Sequence, residues 1–156
     1  LGDWINSRDL KDVVVLGKGA HTPDCLPDKI KPQIEESLSR GNIDKLDIYC
    51  LHRDNLDVPV TEFIDALNEC KNDGLIDMLG ASNWELERFK LANDYAEDQE
   101  KESFKVLSNN FSLARMIEPV WPGCFSCDES YLKYLKDNNI HLFPWSSQAR
   151  VFLSTK

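Results

Sequence analysis

No apolar run in this sequence approaches the roughly 18 to 20 residues of a membrane-spanning helix. No basic stretch followed by an apolar one opens it at Leu1-Gly2-Asp3-Trp4. We therefore expect neither a membrane segment nor a secretory leader. Basic residues are scarce, 18 Lys and Arg against 27 Asp and Glu, for a net charge of −9. That balance repels a phosphate backbone, and no basic stripe offsets it, so no nucleic-acid partner is expected. The five cysteines are an odd number at irregular spacings. They argue against a disulfide framework and for a reduced, cytoplasmic setting. The sequence also lacks a His-x-His pair, an internal repeat, a linker and any low-complexity segment. Gly17-Lys18-Gly19 falls short of the Gly-x-Gly-x-x-Gly fingerprint of doubly wound dinucleotide-binding sheets.

What is present is enough to fold. Hydrophobic residues make up 42% of the 156 residues, well above the level of a disordered chain. Five short apolar runs, at 13–16, 46–51, 75–79, 104–107 and 140–143, read as strands buried on one or both faces. Segments of helical period alternate with them. The first spans 28–40 with Ile30, Ile34 and Leu38 on one face; the second spans 61–73 with Phe63, Ile64, Leu67 and Cys70, and stops at Gly74. A third follows Ser82 and Asn83, both suitable N-caps, and carries Leu86, Phe89, Ala92 and Ala96. A fourth starts near Asp128 and carries Tyr131, Leu132 and Leu135, while residues 1–6 read as the tail of an earlier helix.

Strands recur about every 30 residues, the size of one βα unit in an eightfold barrel of about 250 residues. Alternation of this kind demands parallel pairing with right-handed crossovers. The expected fold class is α/β, a partial (β/α)8 TIM barrel. Five strands cannot close such a barrel, so residues 1–156 are expected to form one incomplete domain lacking units at both ends.

In a parallel βα barrel the active site lies at the C-terminal strand ends. Those positions hold Lys18, His52, Ser82-Asn83, Asn109-Asn110 and Trp145-Ser146. Each is polar or aromatic and directly follows an apolar run. His141, at the start of its run, reads as structural. An alternative takes His21, His52 and Asp54 as metal ligands in a barrel hydrolase or isomerase. Lys18 would sit uneasily beside a divalent cation, and the preferred reading has no metal. Cys124-Phe125-Ser126-Cys127 has neither a second cysteine pair nor a redox context and reads as two loop cysteines. Trp4, Trp84 and Trp121 read as packing residues.

Five motifs in order resemble the aldo-keto reductase family. Val15-Leu16-Gly17-Lys18 resembles the strand that ends on the family's catalytic lysine. Asp47-Ile48-Tyr49-Cys50-Leu51-His52 resembles its "D-x-Y-x-x-H". Gly80-Ala81-Ser82-Asn83-Trp84 resembles "G-x-S-N-[FW]". Ser108-Asn109-Asn110 stands where the family has "N-Q-x-E", and Pro144-Trp145-Ser146-Ser147-Gln148-Ala149-Arg150 where it has "Y-S-P-L-x-R-G".

The resemblance implies hydride transfer between NADP(H), with NAD(H) as the alternative, and a small carbonyl or alcohol substrate. It implies Lys18 and His52 for catalysis: Lys18 lowers the pKa of a tyrosine, and His52 orients the substrate carbonyl. Ser82, Asn83 and Asn110 would hold the nicotinamide carboxamide, Trp145 would stack on its ring, and Ser146 and Gln148 would line the pyrophosphate loop. The family's catalytic tyrosine and its aspartate precede the lysine strand, and its adenosine 2′-phosphate grip lies around the eighth strand. Neither segment is found here, so the 156 residues alone are expected to be inactive. A non-catalytic nicotinamide-binding or assembly role is the alternative. A narrower resemblance, through Gly19-Ala20-His21-Thr22-Pro23, His52-Arg53-Asp54-Asn55 and Val120-Trp121-Pro122-Gly123-Cys124, points to a branch found fused to or near Gfo/Idh/MocA sugar oxidoreductases and to a sugar-like substrate.

Overall fold

The computed structural model describes residues 2–8 and 12–149; Leu1 and Arg150, at the ends of two expected segments, lie outside them. The elements run α1 Gly2–Asn6, β1 Leu16–Gly19, α2 Pro27–Gly41, β2 Leu46–Leu51, α3 Val60–Asn72, β3 Ile76–Ala81, α4 Leu86–Asp98, β4 Val106–Leu107, α5 Glu129–Asp137 and β5 His141–Leu142. The strands form one sheet in sequence order, every pair parallel. Parallel neighbours joined by helices are the expected βα arrangement, and β1 and β5 each have one strand neighbour among the described residues.

Strand alternation separates two apolar layers. On one face Tyr49, Leu51, Leu79, Ala81 and Leu107 join Ile30, Ile34, Phe63, Ile64, Leu67 and Phe89 from the helices in the main core. On the other, Ile48, Cys50 and Val106 pack with Leu16 and Met78. The helices bury the faces their period demands: Ile30, Ile34 and Leu38 in α2, Phe63, Ile64, Leu67 and Cys70 in α3, Leu86, Phe89, Ala92 and Ala96 in α4. Gly74 stops α3 at φ +76°, a conformation glycine adopts freely.

Three local expectations are corrected. The ladder of β1 begins at Leu16, and Val14 is exposed, because the Asp47 carboxylate accepts the Val15 N–H at 2.7 Å. Ser82 and Asn83 do not cap α4. Glu85 does, accepting from the Arg88 N–H at 3.4 Å, which leaves Ser82 and Asn83 at the strand end. In α5, which starts near Asp128 as expected and is capped by it, Tyr131 and Leu135 are buried but Leu132 faces outward.

Trp84 anchors the layer beneath the C-terminal strand ends. It is fully buried, edge-on to Phe63 at 5.9 Å and to Phe104 at 5.3 Å, and its Nε1 donates to the Arg53 carbonyl at 3.2 Å. Trp4 and Trp121, by contrast, are exposed. Replacing Trp84 by alanine deletes the largest buried side chain and removes one of the two hydrogen bonds to the Arg53 carbonyl, leaving the one from the Cys25 thiol. Trp84→Ala should cost about 3–5 kcal/mol, read as a lowered urea midpoint; a midpoint within error of the unsubstituted chain would refute its anchoring role.

Candidate active site

The parallel ladder lines up Lys18 with Cys50, Cys50 with Gly80, and Gly80 with Val106. Two residues further on stand His52, Ser82 and Ser108, at the ends of β2, β3 and β4. Lys18 reaches across this surface from β1, and its Nζ donates to the Ser108 Oγ at 2.8 Å. The Ser108 carbonyl accepts from the Ser82 Oγ at 2.6 Å, and Ser82 Oγ accepts from Asn83 Nδ2 at 3.1 Å. Asn83 Nδ2 also donates to the His52 carbonyl at 3.2 Å. One hydrogen-bonded network thus joins Lys18, His52, Ser82 and Asn83, all expected from the sequence, through Ser108, to which the sequence assigned no role.

Burial shifts the titratable groups of this network. Lys18 is exposed overall, but its ammonium ends in a part-buried contact, and the charge sits there; desolvation pushes its pKa below the ordinary lysine value. Burial pushes the Cys50 thiol beside it up to about 12, so that group stays protonated at neutral pH. His52 is half-buried. Burial, then His21, Lys18 and Arg53, lowers its pKa, which makes the neutral ring the resting form at pH 7. Its backbone N–H is held by the Gly19 carbonyl at 2.6 Å, and its ring lies edge-on to His21 at 4.9 Å. A cleft of about 510 Å³ opens beside Lys18, His21 and His52.

Gly19 is required by close packing. A Cβ there would collide with the hydroxyl of Tyr49 and crowd Oε1 of Gln33. Tyr49 itself is fully buried in the main core, away from the network.

Asp54 is held elsewhere. Its Oδ2 accepts from Arg88 Nε at 2.5 Å, and Arg88 also donates to the carbonyls of Asn55 and Val58 at 2.9 and 2.6 Å while lying 5.4 Å from the Trp84 ring. The Arg88 clasp therefore fixes the loop that follows His52. With Asp54 so engaged, it does not join His21 and His52 as a ligand set, and among the described residues no group of three or more His, Cys, Asp or Glu is placed to hold a metal.

The second half of the site lies beyond β4. Asn109 pairs reciprocally with the Trp84 backbone, donating at 2.8 Å and accepting at 3.3 Å. Asn110 donates to the Trp145 carbonyl and accepts from Ser126 Oγ, both at 3.2 Å. Its amide thus ties two loops together. Trp145 is half-buried, 6.1 Å from the Trp121 ring, with its Nε1 buried and unpaired. Ser146 adopts φ +54° and Gln148 is exposed. His52, Ser82 and Asn83 are directly bonded and Lys18 joins them through Ser108; Asn110, Trp145, Ser146 and Gln148 stand apart on the neighbouring loops and connect through the 108–110 segment. Cys124 and Cys127 are buried free thiols. Cys124 accepts from Arg53 at 2.7 Å, and burial pushes Cys127 up to about 12.

The profile of the aldo/keto reductase family matches residues 1–156. The chain belongs to the aldo-keto reductase family. Among curated relatives, an aldo-keto reductase of Fusarium vanettenii is 27% identical over 74% of this chain and 29% of its own length. The NADH-specific methylglyoxal reductase of Escherichia coli is 32% identical over 46% of this chain and 23% of its own. Solved structures share the fold: a thermostable aldo-keto reductase in complex with the inhibitor epalrestat (TM-score 0.76, 23% identity, 98% of this chain and 51% of that one) and the glycerol dehydrogenase of Gluconobacter oxydans (0.74, 20%, 96% and 45%). This aldo-keto reductase chain spans about half the length of those structures and under a third of the two curated relatives.

Ser108 and Arg88 carried no distinctive sequence signal. Ser108 is a small polar residue before two asparagines, and Arg88 is one of two charges, with Glu87, between Leu86 and Phe89. A cross-strand contact 90 residues apart has no local pattern to betray it.

A lowered folded-state pKa at His52 has a signed consequence. The unfolded chain takes up a proton at about pH 6.5, where the folded site resists it. Stability from this residue is full above that value and is lost as the pH falls from it towards the folded pKa. A His Cε1–H NMR titration should place the His52 midpoint below 6.5, and His52→Gln should lessen the drop in urea midpoint between pH 7.5 and pH 5.5. A His52 midpoint at or above the unfolded value would overturn this account.

Proposed function

We propose that these residues form the middle of a nicotinamide-dependent carbonyl-reducing site, with NADP(H) as cofactor and NAD(H) as the alternative. The observation that carries the reading is Asn83. Its Oδ1 is buried without a hydrogen-bond partner, while its Nδ2 is held by Ser82 and His52. A buried amide oxygen left unpaired is costly. It fits an amide N–H donor, which the nicotinamide carboxamide provides. In this reading Ser82 and Asn83 hold the carboxamide, and Trp145 supplies a ring for stacking. Asn110 fixes the Trp145 loop, and Ser146 and Gln148 face the pyrophosphate. When bound, the cofactor supplies or accepts the hydride.

The chain's own groups handle position and charge. Neutral His52 donates a hydrogen bond to the carbonyl oxygen as negative charge develops there. Lys18 places a cation near the proton donor and lowers that donor's pKa. Tyr49, buried behind the sheet, is not that donor. The resemblance assigns the role to a tyrosine ahead of the lysine strand, so we further propose that residues 1–156 act as part of a closed barrel and do not turn substrate over alone. Small oxygenated substrates, sugar-like ones included, suit this reading, since two relatives are named for methylglyoxal and glycerol. The five free cysteines support a reduced, cytoplasmic setting, and no described helix is long and apolar enough to cross a membrane.

A screen of small aldehydes and sugars with NADPH and NADH on a full-length polypeptide carrying this sequence tests the reading. Lys18→Met should lower kcat by about 100-fold or more while nearly sparing cofactor affinity. Unchanged turnover in that variant would remove Lys18 from the mechanism. Asn83→Ala should weaken cofactor binding by about five- to tenfold, the scale of one hydrogen bond, measured by tryptophan fluorescence; unaltered affinity would take the carboxamide away from Asn83.

A further inference from the structure

We propose that Ser108 is the positioning residue for Lys18: its hydroxyl, fixed at the end of β4, anchors the lysine ammonium across the face of the sheet opposite the helices. The catalytic meaning of this role rests on the reductase reading; the contact itself does not. Ser108 is 2% exposed. Its backbone is held on both sides, the N–H by the Ala81 carbonyl at 2.8 Å and the carbonyl by the Ser82 hydroxyl at 2.6 Å. The hydroxyl therefore projects from a rigid point, and Lys18, with its flexible four-carbon stem, comes to it.

The path is open because the register line between the two strands is built small. Cys50 and Gly80 separate Lys18 from Val106, and a Cβ at position 80 would meet the Cys50 Sγ and the Val106 Cβ and carbonyl. Lysine has three donors and no acceptor, whereas a serine hydroxyl has two acceptor sites and one proton to give. Accepting from Lys18 leaves that proton free to donate. Ser108 thereby serves two ends of the site: its hydroxyl sets where the lysine charge sits, and its carbonyl orients Ser82 beside Asn83.

Removing the hydroxyl removes a charge-assisted hydrogen bond from a partly desolvated ammonium while sparing the Ser82 contact, which uses the backbone. The readout is a 13Cε-lysine NMR titration of the full chain without cofactor, with Lys18 assigned by Lys18→Arg. Ser108→Ala should lower the Lys18 midpoint by about one pH unit, the scale of losing one such bond, and Ser108→Thr should restore it. A midpoint unmoved in folded Ser108→Ala overturns the proposal. If Ser108→Ala fails to fold by circular dichroism, Ser108→Cys decides: thiol sulfur is a weak acceptor of similar size, so the midpoint falls or the proposal fails. In the full-length enzyme the pH profile of kcat should move with the Lys18 midpoint; a fall in kcat with the midpoint unchanged makes Ser108 merely structural. Absence of carbonyl reduction in the unsubstituted enzyme would sink the reductase reading instead, and the Lys18 midpoint would still settle Ser108.

Discussion

Lys18, Cys50, Gly80 and Val106 stand opposite one another on four consecutive parallel strands. That shared register places His52, Ser82 and Ser108, two residues further along their strands, at one end of the sheet, because parallel strands all finish on the same side. A slip of one residue in any strand would turn its candidate site residue from the face opposite the helices to the helix face. The apolar core resists such a slip: Tyr49, Leu51, Leu79 and Leu107 are locked among the helices on the other face. The chemistry at the strand ends thus depends on packing behind them.

The clasps around the strand ends are polar and were much harder to foresee. Arg88 reaches from α4 to Asp54 and to two carbonyls of the loop after His52. Breaking a buried pair of this kind leaves an uncompensated charge, so the loop geometry and the helix are tied together. Asn109 and Asn110 do similar work on the other side, one bonded to Trp84 and the other to the Trp145 loop. The candidate site is thus braced by hydrogen bonds from outside the Lys18–His52 network.

Periodicity made the fold legible. The spacing of Ile30, Ile34 and Leu38, or of Leu86, Phe89, Ala92 and Ala96, states which helix face is buried before any coordinates are known. The run 46–51 matched β2 from end to end. Lys18, His52, Ser82 and Asn83 were legible too, since each follows an apolar run and each sits in a motif. Side-chain partnership was not. Ser82 and Asn83 look like helix caps because their side chains suit that task, and only the tertiary bonds to Ser108 and His52 show that they are used otherwise. The 13–15 stretch looks like a strand interior, but a carboxylate from the neighbouring strand takes over its N–H. Asn110 reads from its motif as a carboxamide-binding residue, and in the structure its amide is bonded to the Trp145 carbonyl and Ser126.

Gly19 constrains how this site can change over generations. Every missense change open to a glycine codon by a single nucleotide adds at least a Cβ, and at this position the Cβ points into the Tyr49 hydroxyl. The same residue's carbonyl holds the His52 N–H, so any shift of the strand to relieve the collision carries His52 with it. Loss of the tyrosine oxygen, as in Tyr49→Phe, would have to come first to ease the worst of the collision, and that oxygen has no hydrogen-bond partner to lose. The order of substitutions, rather than their sum, then decides which descendants of this chain keep His52 where it now stands.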